Sequence, residues 1–537
     1  MRLLISPACL KSKSMIDDEK RKTFYALNDM RQFKFRLAIE GVAVGIFVGC
    51  IIGFYRFCLE FIAHNRSALF EFFKVSSPVY LVCWTVALVC VAYLTDRLVK
   101  FAPLSGSSGI PQIKGSIMGI YKTNWWKIIV SKLTGCIMAI GAGLSLGREG
   151  PSIQLGGMAG QGISRFFGRS RMEERCLISA GAGAGLAAAF NAPVASVMFT
   201  MEVLHRTLSP IVLLPTLVAA LVSTMVSHAI FGRGMIFDIP KLILMTFDVL
   251  PHMVVLGIII GLAGVIFNKA MVNGGRFYEL PFFKNNFMRY LFPLLLTIPI
   301  GFLLPEIMGG GDAMVVTLIG RNATIRFLIV VLLAKFVFTM FSAGSGIPGG
   351  TLQPMLVMGA LGGYIYGAIC IKMGLLPVYY LDNCIVFGMV GFFAATVRCP
   401  LTGILLVLEL TGSFMQLFSL CLVTLFANTT AEFFHSEPIY DVMLRRSLVK
   451  DKKINPDVLV KPGTRNVMEI PIESGSIADG RLIKDIAWPE NTLVVGVKRS
   501  GLDIVPGGNT RLMAGDYIYM VINTKYMQDV RKIMVKE

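Results

Sequence analysis

Residues 147–157 read GREGPSIQLGG and residues 344–354 read GSGIPGGTLQP. At a constant offset of 203 positions, Gly147, Pro151 and Gly156 fall on Gly350, Pro354 and Gly359, and Lys132, Gly141 and Gly143 fall on Lys335, Gly344 and Gly346. With four residues of drift, Ala187, Ala188, Pro193 and Glu202 fall on Ala394, Ala395, Pro400 and Glu409. Matches that include lysine, glutamate and proline indicate a chain duplicated end to end. A third knot of the same make, GSSGIPQIKG, occupies residues 106–115.

The surroundings of these knots are apolar. Of 537 residues 55% are hydrophobic and 16% charged, and the mean hydropathy is +0.67. Soluble proteins carry roughly 25% charge, so these values exclude disorder and point to an integral membrane protein. The charge is also uneven. Residues 37–440 hold 26 of the 51 Lys+Arg and 17 of the 33 Asp+Glu, whereas the last 97 residues hold 16 and 12, which predicts a soluble tail. Apolar stretches recur near 37–63, 79–97, 126–146, 176–204, 209–231, 249–272, 289–306, 326–343, 353–374, 384–395 and 401–434. Several are too short to span, and broken helices at membrane depth persist only where they line protein or a watery cavity. In transporters built from two repeats the substrate sits where interrupted helices of both halves meet.

A net charge of +18 invites a nucleic-acid reading, but the cations are thinly spread and lack aromatic partners, so nucleic acid is not an expected partner. Positive charge collects instead in residues 1–36 and 445–461, which places both termini in the cytoplasm and makes the number of crossings even. The start, MRLLISPACLKSKSM, has no cleavable-signal pattern. Eleven cysteines without CxxC spacing and five scattered histidines support neither disulfides nor a metal site. There is no P-loop, nucleophile elbow or dinucleotide fingerprint, so no enzymatic reaction is expected.

Each knot pairs a glycine-rich loop with a proline, the residue most at home in a helix's first turn. A helix start presents unpaired N–H groups and roughly half a positive charge, and glycine lets that backbone approach a ligand closely. Several such starts aimed at one point would hold an anion by partial charges, weakly enough for release. Ser108 adds a neutral hydroxyl donor. Glu149, two residues before Pro151, is the sharpest single residue: a carboxylate deep in an apolar body is costly and usually functional. Its charge can take the anion's place, and protonation would withdraw it, so one residue would both gate the path and carry protons. A salt bridge with Arg148 is the plainer alternative.

GSSGIP, GREGP, GIPGGTLQP and the later EPIYDVML closely resemble the CLC family of chloride channels and proton/chloride antiporters, over roughly residues 36–445. The resemblance implies an all-α, two-half inverted-repeat membrane fold with broken helices (repeats about 36–235 and 245–440, after an N-terminal segment 1–35). It also implies a homodimer in the cell membrane with one pathway per subunit. On the family pattern Ser108 and Tyr440 offer hydroxyls to a central anion, Gly109, Ile110, Thr351 and Leu352 belong to the same anion site, with Thr351 and Leu352 donating backbone N–H groups, and Glu149 is the external gate. Serine at position 108 goes with chloride. Three departures stand out. Ser107 replaces a glycine, Leu352 replaces an aromatic residue, and Val203 occupies the place where many antiporters carry an internal proton glutamate. Valine there is usual among channels, although some prokaryotic members without that glutamate still exchange. Glu202 and Glu409, recurring at matching places, are expected to be structural, as are Lys132 and Lys335.

Beyond an expected linker at 446–464, LIKDIAW, TLVVGVKR and DYIYMVI alternate like short strands, with a helix from Lys525. The runs IPIESGSIADGRLIKDIAWPENTLVVGVKRSG and RLMAGDYIYMV make residues 465–537 resemble the RCK-C (TrkA-C) regulatory domain. Such domains commonly dimerise and some bind cyclic dinucleotides between protomers, which makes a cyclic dinucleotide the candidate ligand of a small α/β cytoplasmic tail. Three functions are consistent with these features: chloride exchanged for protons, a passive chloride channel favoured by Val203, and a membrane-anchored sensor with an inert body. No cofactor is expected beyond the transported chloride and protons.

Overall fold

The computed structural model describes residues 7–75, 77–232, 242–311, 314–315, 324–450, 465–490, 492–499, 502–523 and 526–534. The linker expected over 446–464 lies outside these residues from position 451 onward, and so do the first six residues of the N-terminal segment. Two units, Met1–Leu444 and Arg445–Glu537, each have an internal core.

In the first half of the large unit run α1 (Pro7–Val75), α2 (Pro78–Phe101), α3 (Ile110–Ile117), α4 (Trp125–Gly141), α5 (Glu149–Phe166), α6 (Arg171–Phe190), α7 (Pro193–Phe199) and α8 (Pro210–Phe231). The second half holds α9 (Leu250–Phe277), α10 (Asn286–Leu303), α11 (Ile325–Gly344), α12 (Leu352–Lys372), α13 (Leu381–Val397), α14 (Pro400–Thr411), α15 (Leu417–Phe433) and α16 (Ile439–Lys450). Proline stands in the first turn of α2, α3, α7, α8 and α14, where its missing N–H costs nothing. A capping box starts α6: Glu173 N donates to Ser170 Oγ, and Ser170 N donates to Glu173 Oε2 at 2.9 Å.

Nine helices among the described residues are long and apolar enough to cross a membrane. They do not share one environment. The apolar window of Pro78–Phe101 is 17% buried within the protein and that of Val378–Val397 is 89% buried, so the first is clad for lipid and the second belongs to the core. The apolar stretch 176–204 is not one helix: α6 ends at left-handed Asn191, α7 runs seven residues, and a π-turn follows at Thr200–His205. The stretch 401–434 likewise divides into α14 and α15.

The duplication is visible as repeated packing. A Cβ on Gly156 of α5 would stand 2.1 Å from Gly181 O of α6, and one on Gly181 would stand 2.1 Å from Gly156 O. In the second half Gly359 of α12 and Gly388 of α13 stand in the same relation, at 2.4 and 2.1 Å. Only glycine lets these backbones touch, which replaces the hydrophobic driving force that lipid denies to helix pairs. The buried lysines repeat too. Lys132 Nζ donates to Ser105 O at 3.1 Å and to Ser107 O, and Lys335 Nζ donates to Ile307 O at 2.9 Å and Gly309 O at 2.8 Å. Each ammonium is thus engaged by loop carbonyls, as a structural role requires.

The small unit is an antiparallel sheet of β1 (Arg465–Pro471), β2 (Leu493–Arg499), β3 (Leu502–Ile504) and β4 (Tyr517–Asn523), in the order β1-β4-β2-β3, with α17 (Met527–Met534) following. Ile518, Met520 and Ile522, alternate residues of β4, are buried with Val530 and Met534 of α17. LIKDIAW is not a strand. Its centre is a 3-10 turn at Ile483–Asp485, closed by Asp485 N donating to Leu482 O at 2.9 Å.

Candidate functional site

The three knots are laced together by their backbones. Ser107 N donates to Gly346 O at 2.9 Å and Gly349 N donates to Ser107 O at 3.2 Å, joining the first knot to the third. Gly147 and Gly350 exchange hydrogen bonds of 2.7 and 2.8 Å, joining the second to the third. Gly150 closes the triangle: a Cβ there would lie 2.7 Å from both Ser108 O and Ser108 Oγ. This lacing needs unusual backbone. Ser107 and Gly109 have φ of 58° and 100°, and serine bears the left-handed conformation at a cost that its two cross-knot hydrogen bonds offset.

From this hub α3, α5 and α12 lead away with their N-termini inward. Gly109 is the N-cap of α3 and Ile110 its fully buried first residue. Thr351 and Leu352 are the N-cap and first residue of α12, and Glu149 begins α5 with no exposed surface. Its Oε2 lies so close to Gly147 that a Cβ there would meet it at 2.4 Å. The start of α16 brings Tyr440, which lies within electrostatic reach of Glu149. Its hydroxyl sits beside that of Thr351 without hydrogen-bond geometry between them.

The polar inventory is one-sided. Ser108 Oγ, Thr351 Oγ1 and Tyr440 Oη are buried hydroxyls that no hydrogen bond from the described residues satisfies. Leaving such a group unsatisfied costs about 1–3 kcal/mol, and each of these hydroxyls is able to donate to an acceptor beside it. Lys132, a nearby formal cation, is engaged by the carbonyls of Ser105 and Ser107 in the first knot. A cavity of about 640 Å³ is lined by Glu60, Arg66, Arg148, Glu306 and Gln353 among others. Arg148 Nη1 lies 3.5 Å from Glu60 Oε1.

Sequence reasoning missed Tyr55 and Lys114. Tyr55 of α1 is fully buried and within electrostatic reach of Glu149, yet a tyrosine in an apolar helix carries no signal of this. Val203 sits in the π-turn, and its carbonyl accepts from Lys114 Nζ at 3.0 Å. Glu202 accepts from Thr402 N at 2.8 Å and Thr402 Oγ1 at 2.7 Å, while Glu409 accepts from Val194 N at 3.0 Å and Ala195 N at 2.7 Å.

Comparison with known proteins bears on the fold and the family. Residues 87–432 match the family described as voltage gated chloride channel, and residues 467–535 match the TrkA-C domain. The H(+)/Cl(-) exchange transporter ClcA of Vibrio parahaemolyticus is 33% identical over 437 residues, 79% of this chain and 92% of that protein. ClcA of Yersinia pestis is 32% identical over 409 residues, covering 73% and 84%. The crystal structure of a slow cyanobacterial Cl-/H+ antiporter superposes with a TM-score of 0.73 at 30% identity, over 78% of this chain and 99% of that one. A CLC-type fluoride/proton antiporter, with a TM-score of 0.63 at 22% identity over 76% and 97%, shares the fold.

Proposed function

Because the chain belongs to the voltage gated chloride channel family, we propose that it carries chloride across a membrane in exchange for protons, with Glu149 as gate and proton carrier. The observation that carries this reading is the coincidence of a fully buried carboxylate with three unsatisfied hydroxyls, Ser108, Thr351 and Tyr440, at the junction of three helix starts. The hydroxyls and the backbone N–H groups of Gly109, Ile110, Thr351 and Leu352 suit an anion. A deprotonated Glu149 competes for the same donors, and protonation removes its claim. Neutral donors keep the anion exchangeable, since a full countercharge at low dielectric would hold it too tightly.

The relatives named as H(+)/Cl(-) exchangers support exchange. Val203 supports the second reading, a passive chloride path of the same architecture, because no carboxylate stands at that position to relay protons inward. A membrane-anchored sensor with an inert body is disfavoured, since an inert body has no use for three unsatisfied hydroxyls. We further read the protein as a homodimer of the cell membrane with both termini cytoplasmic, following the positive charge at the two ends. The tail is then a regulatory or dimer-stabilising module, and cyclic dinucleotides are the ligands to try first.

Liposomes loaded with chloride and given an outward gradient separate the readings. An exchanger drives protons inward against their own gradient, a channel moves chloride alone, and a sensor moves neither. Repeating the assay without residues 451–537, and with cyclic dinucleotides added, tests the tail.

A further inference from the structure

Asp441 follows Tyr440 directly, in the first turn of α16. Its carboxylate is held from two sides. Oδ1 accepts from Lys114 Nζ of α3, and Oδ2 pairs with Arg206, the residue that ends the π-turn in a left-handed conformation with φ of 60°. The Lys114 side chain is 9% exposed and that of Asp441 18%. The same ammonium also donates to Val203 O at 3.0 Å. A π-turn disturbs the regular pairing of carbonyls, and here the lysine supplies Val203 with a donor. One ion cluster therefore fastens three elements: α3, which begins beside Ser108; α16, which begins beside Tyr440; and the turn containing Val203. Lys114 is four residues into α3 from Ile110, about 6 Å at 1.5 Å per residue, so the cluster grips α3 beyond the start that Ser108 leads into. A second contact runs parallel to it, where a Cβ on Gly115 would lie 3.4 Å from Leu444 Cδ1.

We propose that Asp441 is a positioning residue for the inner constriction: by clamping α16 to α3 and to the π-turn through Lys114 and Arg206, it fixes the separation of the Tyr440 and Ser108 hydroxyls and so keeps the inner side shut while Glu149 is displaced. The proposal rests on the exchange reading above. Exchange requires that the path never open at both ends at once, and with Glu149 serving the outer end, the inner end depends on a constriction that does not yield. Two ionic partners from different elements suit that task, because removing the carboxylate frees α16 from both together and leaves two cations without their shared anion.

The test uses the full-length protein in liposomes, with chloride and proton movement recorded together. In Asp441→Asn the ratio of chloride to protons is expected to rise at least threefold with chloride flux maintained or increased. Arg206→Gln, at an exposed position, is expected to raise it by a smaller factor, and Asp441→Glu to return it to within twofold of the wild type. A wild-type ratio in Asp441→Asn overturns the proposal, and so does a parallel fall of both fluxes at constant ratio. If Asp441→Asn does not fold, Arg206→Gln decides alone by the same criterion. A wild-type protein that moves chloride without protons removes the exchange reading instead. The clamp is then judged by chloride flux, expected to be at least threefold faster in Asp441→Asn, and an unchanged rate sinks it.

Discussion

Glu202 and Glu409 each cap a helix belonging to the opposite half: Glu202 receives the N–H of Thr402 at the start of α14, and Glu409 receives those of Val194 and Ala195 at the start of α7. An exchange of this kind, in which each half gives the other what it takes, is what a two-fold relation between repeats produces. The carboxylates are thereby structural, as their recurrence indicated. Replacing either by alanine removes charge-assisted hydrogen bonds from half-buried helix starts and is expected to cost about 1–3 kcal/mol. Thermal unfolding in detergent measures this, and a variant as stable as the parent would contradict the capping role.

Glu149→Gln is expected to abolish proton movement while chloride continues to pass, because the amide keeps the size of the protonated acid and cannot ionise. Simultaneous recording of both ions in liposomes gives the answer. Proton movement at the parental rate would remove Glu149 as carrier.

Ser108→Ala and Tyr440→Phe each delete one hydroxyl from the shared space. A hydrogen bond to a charged partner is worth about 1.5–3 kcal/mol, so chloride binding is expected to weaken by roughly tenfold or more in each. Titration calorimetry reads the affinity directly. Thr351→Val is expected to have the smallest effect of the three, since the backbone N–H of Thr351 survives.

Gly181→Ala and Gly388→Ala should be equally damaging, since each puts a methyl about 2.1 Å from a carbonyl oxygen of the facing helix. Overpacking of this severity costs about 1–3 kcal/mol or more. The measurement is the yield of monodisperse protein and its melting temperature. Gly275→Ala in α9, where the backbone is helical and a methyl meets nothing within 4 Å, is the control.

In the tail, Arg499 Nε and Nη2 donate to Asp516 at 2.8 and 2.7 Å and, with a hydrogen bond from Met513 N, hold its carboxyl below the ordinary carboxylate range. A carboxyl lowered by folding contributes stability that is complete above its unfolded value of about 3.9 and is lost as the pH falls through its folded value. The urea midpoint of the tail, followed by pulse-labelled hydrogen exchange across residues 493–523, is therefore expected to drop on acidification to about pH 3. Asp516→Asn should show a lower midpoint at neutral pH and a smaller drop. Identical acid profiles would exclude the pair as their source.

The knots were legible because glycine, proline and a lone glutamate are conspicuous in an apolar chain, and the offset of 203 tied two of them together before any coordinate did. Their convergence also followed, since a duplicated broken-helix body has few other ways to bury loop backbone. What escaped notice depends on contacts without a local pattern. Lys114 and Asp441 stand 327 positions apart, and nothing around either announces the other. Tyr55 reads as an ordinary aromatic on a spanning helix. The breaks at Asn191 and in the π-turn were hidden inside the run 176–204, whose hydropathy stays high through them. In the tail, LIKDIAW alternates like a strand but is drawn into a 3-10 turn, with Ile483 N and Lys484 N bonded to Thr510 O and Gly508 O instead of a neighbouring strand.

The glycine seams between α5 and α6, and between α12 and α13, leave those pairs no slack, because either helix would have to climb over its neighbour's carbonyls to slide or roll. Each half is thereby a stiff pair of meshed helices, and the Gly147–Gly350 pair with the reciprocal caps of Glu202 and Glu409 ties one half to the other. On the reading proposed above, such a scaffold leaves a side chain such as that of Glu149, and not a whole bundle, as the part that would move.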